Sequence, residues 1–136
     1  GDTNGINQNT KLFVSYLWTS IQGFSAFGKF EGNQNADGTF VYTGFKPAMV
    51  IIKNIDRVEG WSMFDTKRNP GNLTDNQLRA ESSVATDVDS SIAIDILSNG
   101  FKLRTTSTEI NHSTCTYMAW AEAPLVNSNG VPCNAR

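Results

Sequence analysis

The sequence carries little net charge, and this excludes two classes of protein. Its 136 residues include 11 Lys and Arg against 13 Asp and Glu, which gives a formal net charge of −2 at pH 7. Nucleic-acid binders and polybasic membrane-surface proteins depend on a surplus of basic side chains. No apolar run approaches the roughly 20 residues that a membrane-spanning helix needs. The sequence therefore predicts a protein that binds neither nucleic acid nor membranes.

Residues with metal-binding or reactive side chains are also scarce. His112 is the only histidine, so a cluster of imidazole ligands is excluded. Cys115 and Cys133 do not form a CxxC motif, and they can pair with each other or stay free. The acidic pair Asp87 and Asp89 has the residue type that glycoside cleavage uses, but its polar surroundings are more typical of a turn. We therefore expect no catalytic residue, no metal and no cofactor, and a protein that is not an enzyme.

Polar uncharged residues are abundant, and they separate short apolar runs. Asn, Ser and Thr recur throughout, together with 11 Gly, and no window repeats with the helical period of 3.6 residues. This pattern predicts an all-β fold, an antiparallel β-sandwich that is jelly-roll-like or lamin-G/concanavalin-like, with about nine strands. The expected strands are residues 12–18, 24–30, 39–43, 48–54, 60–65, 77–84, 91–97, 101–105 and 115–122.

The same pattern predicts how the chain is divided. We expect residues 1–10 to form an N-terminal linker or arm and residues 11–136 to form one sandwich domain, with a C-terminal tail from residue 123. Between two alternating runs, Asn99 and Gly100 predict a β-hairpin with a type I′ turn, because that turn needs two positive φ angles.

Two of the expected strands, 48–54 and 115–122, are apolar on both faces. One face of each can fill the sandwich core, and the other needs cover from a loop, another strand or a second subunit. Cover by the chain's own loops and tail is one interpretation. The other is a homo-oligomer, with a trimer as the expected form, whose interface includes Val50, Ile52, Tyr117 and Trp120.

The polar segment that follows strand 60–65 is the candidate ligand-binding surface. An aromatic ring, a planar Arg and several amides are the groups with which proteins bind sugars, through stacking and paired hydrogen bonds. The candidate residues are Trp61, Asp65, Lys67, Arg68, Asn69 and Asn72. The alternative is structural: Trp61 belongs to the core, Arg68 forms an ion pair with Asp65, and the rest is a turn.

Several longer segments carry a resemblance to a known family. They are GNQNADGTFVYTGFKPA at 32–48, WSMFDTKRNP at 61–70, LSNGFKLR at 97–104, YMAWAEAPLV at 117–126 and GVPCNAR at 130–136. Over residues 10–136 the sequence resembles the C-terminal domain of virion structural proteins of tailed bacteriophages, many of them marine, which is often found in tail-fibre or other surface proteins. The family has no catalytic motif that can be carried over to this sequence.

The resemblance implies a function at the surface of a virion. The first expectation is a tail-fibre or receptor-binding domain that contacts host surface polysaccharide without catalysis. The alternative is a capsid decoration, a turret or another purely structural part of the particle that is held by oligomeric interfaces. Both imply other phage structural proteins as partners. The resemblance also implies that the chain ends naturally at Arg136 and that a further part precedes Gly1.

Overall fold

The computed structural model describes residues 12–83, 87–88 and 91–122, and these residues form strands without any helix. Nine strands follow one another along the chain: β1 (Ser25–Asn33), β2 (Phe40–Tyr42), β3 (Pro47–Asn54), β4 (Trp61–Asp65), β5 (Asn76–Arg79), β6 (Asp87–Val88), β7 (Ile94–Leu97), β8 (Gly100–Leu103) and β9 (His112–Ala121). Within the described ranges, no helix exists that could cross a membrane.

The strands form two antiparallel sheets. The larger sheet has six strands in the order β1-β9-β3-β4-β5-β6, and the smaller has three in the order β2-β8-β7. The two sheets pack in a sandwich-like arrangement, which confirms the predicted all-β antiparallel sandwich. The proposed division into a linker, one domain and a tail stays a prediction, because residues 1–11 and 123–136 lie outside the described residues.

Aromatic rings join the two sheets in the core. Phe101 of β8 lies 5.6 Å from Tyr117 of β9 and 6.1 Å from Phe30 of β1, measured between ring centroids. Such edge-to-face pairs add to the free energy gained by burying the rings. Around them lie the buried apolar side chains Val41, Phe45, Val50, Ile52, Phe64, Ile94, Ile96, Leu103 and Ile110. Inward and outward residues alternate along β3 and β9, as a two-layer packing requires.

One of the expected strands is absent, and the structure contains one strand that the sequence did not predict. Residues 12–18 alternate in hydrophobicity, but residues 12–20 form no strand, because they have no hydrogen-bonded strand partner within the described chain. The surroundings of Asp87 are typical of a turn, but Asp87 and Val88 form β6, which pairs with Gln77 and Asn76 of β5. The total of nine strands therefore agrees with the prediction, although one expected strand is absent and β6 is additional.

The β7–β8 hairpin is confirmed, but its predicted turn type is wrong. Leu97 pairs with Gly100, so the two loop residues are Ser98 and Asn99, and none of these four residues has a positive φ angle. Gly100 serves a different purpose. A Cβ at that position would lie 2.1 Å from the carbonyl oxygen of Val41, so the missing side chain permits the close approach of β2.

The outer face of the larger sheet carries one apolar side chain on each of five adjacent strands. Register places Phe27 opposite Met118, Met118 opposite Ile51, Ile51 opposite Met63, and Met63 opposite Leu78. All five are half-buried. We call these five residues the outer apolar row.

The register also corrects the predicted interface. Val50 and Ile52 are fully buried, and Tyr117 is 8% exposed, so these three side chains belong to the core of the sandwich and offer no surface to a second subunit. Trp120 lies three positions after Tyr117 in β9, so its side chain is on the other face of the sheet. There it is half-buried on the outer face and pairs with Met49 of β3. The outward positions of β3 are Met49 and Ile51 instead.

A polar cluster is buried beneath β4 and β5. The carboxylate of Glu109 accepts hydrogen bonds from Ser62 Oγ at 2.7 Å, from Gln77 Nε2 at 2.5 Å and from the Arg79 guanidinium at 2.8 Å. Glu109 is buried, as are Ser62 and Gln77. A buried carboxylate is tolerated only when it is paired and hydrogen-bonded, and these contacts meet that condition.

We expect Glu109→Ala to lower the free energy of unfolding by about 2–4 kcal/mol, because Arg79 and Gln77 would lose their charged acceptor. Urea unfolding with an unchanged slope would measure this loss. The matched control is Glu31→Ala at an exposed position of β1, for which we expect the free energy of unfolding to change by no more than about 0.5 kcal/mol. Equal stabilities for the two variants would contradict a stabilising role of the cluster.

Candidate functional site

The segment between β4 and β5, residues 66–75, is held by a carboxylate at its start. Asp65 Oδ1 accepts hydrogen bonds from the backbone N–H of Lys67 at 2.9 Å and of Arg68 at 2.8 Å. Its Oδ2 accepts a bond from Arg68 Nε at 2.5 Å. Burial pushes the pKa of Asp65 upward, but these hydrogen bonds from Arg68 and Lys67 outweigh it, so the pKa is lowered from 3.8. The ion pair between Asp65 and Arg68 that the structural alternative expected is present.

Two amide side chains close the rest of this loop. Asn69 donates to Leu73 O at 3.0 Å and to Asp75 Oδ1 at 2.9 Å, and its own oxygen accepts from Asn76 N at 3.2 Å. Asn72 bonds both backbone groups of Ile96 in β7, accepting from the N–H at 2.9 Å and donating to the carbonyl at 3.1 Å. Both amides are therefore used within the chain, and the loop is attached to both sheets.

A pocket of about 160 Å³ lies between this loop and the two sheets. It is lined by Lys46, Thr66, Asn69, Pro70, Gly71, Asn72, Thr74 and Ile96. A dry cavity of ~150 Å³ is enough for a six-membered ring such as benzene, so this pocket has room for one sugar ring. Its wall includes Thr66, a buried residue whose hydroxyl has no hydrogen-bond partner in the described chain.

The pocket brings together only part of the predicted ligand-binding set. Asn69 and Asn72 line it, while Asp65 and Arg68 support the loop beneath it and Lys67 is exposed near the start of the loop. Trp61 is absent from the pocket wall. It is 36% exposed on the outer face, opposite Lys53 of β3, so it belongs neither to this site nor to the core.

Six lining residues are not among the predicted candidates: Thr66, Pro70 and Gly71 of the same loop, and Lys46, Thr74 and Ile96. Lys46 precedes β3, where it forms an ion pair with Glu122 at 2.8 Å, and Ile96 comes from β7. Thr74 exchanges two backbone hydrogen bonds with Ile94, at 2.8 and 3.0 Å, which sets the far wall. No local motif marks these positions, because they meet only through the pairing of distant strands.

The residues considered for chemistry lie apart from this pocket. His112 begins β9, where its ring contacts Arg57 at 3.3 Å. Cys115 carries a free buried thiol, and burial raises its pKa to about 11, so it stays protonated near neutral pH. Among residues 12–83 and 91–122, no three His, Cys, Asp or Glu side chains are grouped so as to hold a metal ion.

The fold and the pocket define a β-sandwich domain with a small polar pocket formed by loop 66–75, Lys46 and Ile96 of β7. Residues 1–124 match the model of DUF7483, a domain of unknown function, and the chain belongs to this family. The comparisons with curated proteins and with solved structures give no match. The expected relation to phage structural proteins stays a prediction.

The lowered pKa of Asp65 leads to a pH-dependent effect of Asp65→Asn. Because the folded state favours the ionised carboxylate, this group stabilises the fold above its unfolded pKa, and the stabilisation is lost as pH falls through the lower folded pKa. We therefore expect the free energy of unfolding of the wild type to exceed that of the variant by about 1–2 kcal/mol at pH 6. This difference should shrink as pH falls below about 4. Thermal or urea unfolding between pH 3 and pH 6 measures this gap, and a gap independent of pH would contradict the assignment.

Proposed function

We propose that this chain is a non-catalytic surface domain of a bacteriophage particle, of the tail-fibre or receptor-binding type, which contacts host surface glycans. The proposal rests first on the sequence resemblance of segments such as 32–48 and 61–70 to phage virion proteins. Its expected location is the virion surface, and its expected partners are other phage structural proteins and a host polysaccharide.

The polar pocket beside loop 66–75 is the observation that carries the glycan part of the proposal. Asp65, Asn69 and Asn72 fix the loop before any ligand arrives, so binding a sugar there costs little ordering of the protein. The Lys46 ammonium and the backbone around Gly71 are polar groups of the kind that bind sugar hydroxyls.

The use of the carboxylates supports binding without catalysis. Asp65 pairs with Arg68, Glu122 pairs with Lys46, and Glu109 pairs with Arg79. These are structural uses of acidic side chains, whereas glycoside cleavage needs two carboxyl groups that flank the scissile bond.

The outer apolar row supports the second candidate, a capsid decoration, a turret or another purely structural component. A continuous apolar surface on five adjacent strands suits a protein that is held in a particle by contact with its neighbours. In this candidate the pocket plays no part in attachment.

We expect Gly71→Leu to lower glycan affinity by at least about tenfold, because residue 71 lines the pocket and a bulky side chain there would narrow the opening through which a sugar enters. A Cβ at position 71 meets nothing within 4 Å, so the substitution does not disturb the folded loop. A glycan array of host polysaccharides, followed by calorimetry on any positive sugar, measures the effect.

The matched control is Gly71→Ala, which adds one methyl group in the same open space and should keep wild-type affinity. If the leucine variant binds the sugar as tightly as the wild type does, the sugar does not bind in this pocket. A wild-type chain that binds no glycan but attaches to phage particles would favour the decoration candidate.

A further inference from the structure

We propose that the apolar segment 12–18 of one copy binds the outer apolar row of a second copy, so that the chain assembles by exchanging this segment. The proposal concerns how copies of the chain associate, and it does not depend on glycan binding. It identifies the surface and the occupant that the predicted homo-oligomer lacked once Val50, Ile52 and Tyr117 were found in the core.

The first supporting observation is the exposure of the segment, LFVSYLW. Its leucines are almost fully exposed, with Leu17 at 93%, and its rings remain exposed as well: Phe13 51%, Tyr16 78% and Trp18 61%. Monomeric proteins rarely leave so much contiguous apolar surface in water. Within the described residues, the segment therefore has no apolar surface that covers it.

The second observation is where the segment leaves its own domain. Ile21 and Ser25 exchange two backbone hydrogen bonds, at 3.0 and 2.9 Å, and close a tight turn before β1. Ser20 Oγ accepts from Phe27 N at 3.0 Å, and Trp18 lies edge-on to Trp120, with ring centroids 5.7 Å apart. These contacts attach the end of the segment to β1 and, through Trp120, to β9, while residues 12–17 remain exposed.

The third observation is that the segment and the row match in chemistry and length. Both are apolar and uncharged. Seven extended residues span roughly 23 Å, and a row across five strands spans roughly 19 Å, because residues rise about 3.3 Å along a strand and strands lie about 4.8 Å apart. The segment is long enough to cover the whole row.

The next point is the surface area that is buried when segment 12–18 covers the outer apolar row. With roughly 150–250 Å² per aromatic side chain, the exposed parts of the three rings amount to roughly 300–450 Å². The five half-buried side chains of the row expose less, roughly 150–350 Å², so a reciprocal exchange with two such contacts buries roughly 900–1,600 Å² in total, which reaches the lower part of the range for standard protein interfaces. Reciprocal exchange closes a dimer, and cyclic exchange closes the trimer expected from the sequence.

The test uses the full 136-residue chain and measures its mass by size-exclusion chromatography with light scattering. We expect the wild type to be a dimer or a trimer at tens of micromolar. Leu17→Asp changes the segment and Met118→Glu changes the row, and we expect each to be monomeric with an unchanged far-UV spectrum. Val58→Asp is the matched control, because Val58 is 106% exposed in the β3–β4 turn, away from both surfaces, and should leave the mass unchanged.

Mixing the two monomeric variants gives the decisive measurement. The Leu17→Asp chain keeps an intact row and the Met118→Glu chain keeps an intact segment, so the mixture should form a 1:1 complex through one intact junction. Because that junction buries half the area, we expect the complex at several hundred micromolar, where each variant alone stays monomeric. If Met118→Glu fails to fold, Met63→Lys replaces it on the same row.

Three results would overturn the proposal. The first is a wild type that stays monomeric up to several hundred micromolar. The second is a Leu17→Asp variant that associates as the wild type does, which would mean that two rows pack on each other. The third is a pair of variants that do not complement each other in the mixture.

Discussion

The packing of Phe101 between Phe30 and Tyr117 is the contact on which the arrangement of the two sheets depends. The smaller sheet has only three short strands, and Phe101 is its fully buried aromatic anchor. Because the small sheet is held there, β7 lies where Asn72 and Thr74 can bond its backbone. The walls of the pocket are therefore a result of core packing, and the loop by itself does not build them.

The sequence predicts most of the sheet, and the exceptions have physical reasons. Alternating or doubly apolar runs locate β1, β3, β4 and β9, because those strands bury at least one face. Residues 12–18 alternate equally well, but a period of two indicates only that a face can be buried, and a strand also needs a hydrogen-bonded neighbour. The reverse holds for β6, which is polar in its surroundings and exists through its pairing with β5.

The candidate site was predictable only where its contacts are local. The ion pair of Asp65 and Arg68 joins residues three apart, and sequence reasoning considered it as an alternative. Lys46, just before β3, and Ile96, in β7, lie far from the loop in the chain, so no local pattern marks them. The interface prediction failed for a related reason: Tyr117 and Trp120 differ by an odd number of positions, and only the register decides which of the two faces the core.

Two sets of residues have different roles in loop 66–75: one set holds the loop in place, and the other is exposed to solvent. Asp65, Asn69 and Asn72 form the frame, while Lys67, Pro70 and Gly71 are exposed at its tip. Substitutions at the tip leave every frame bond in place, so they change the outline offered to the environment at little cost to folding. In a domain built in this way, the shape and charge of the exposed tip can change from one variant to the next while the architecture stays constant.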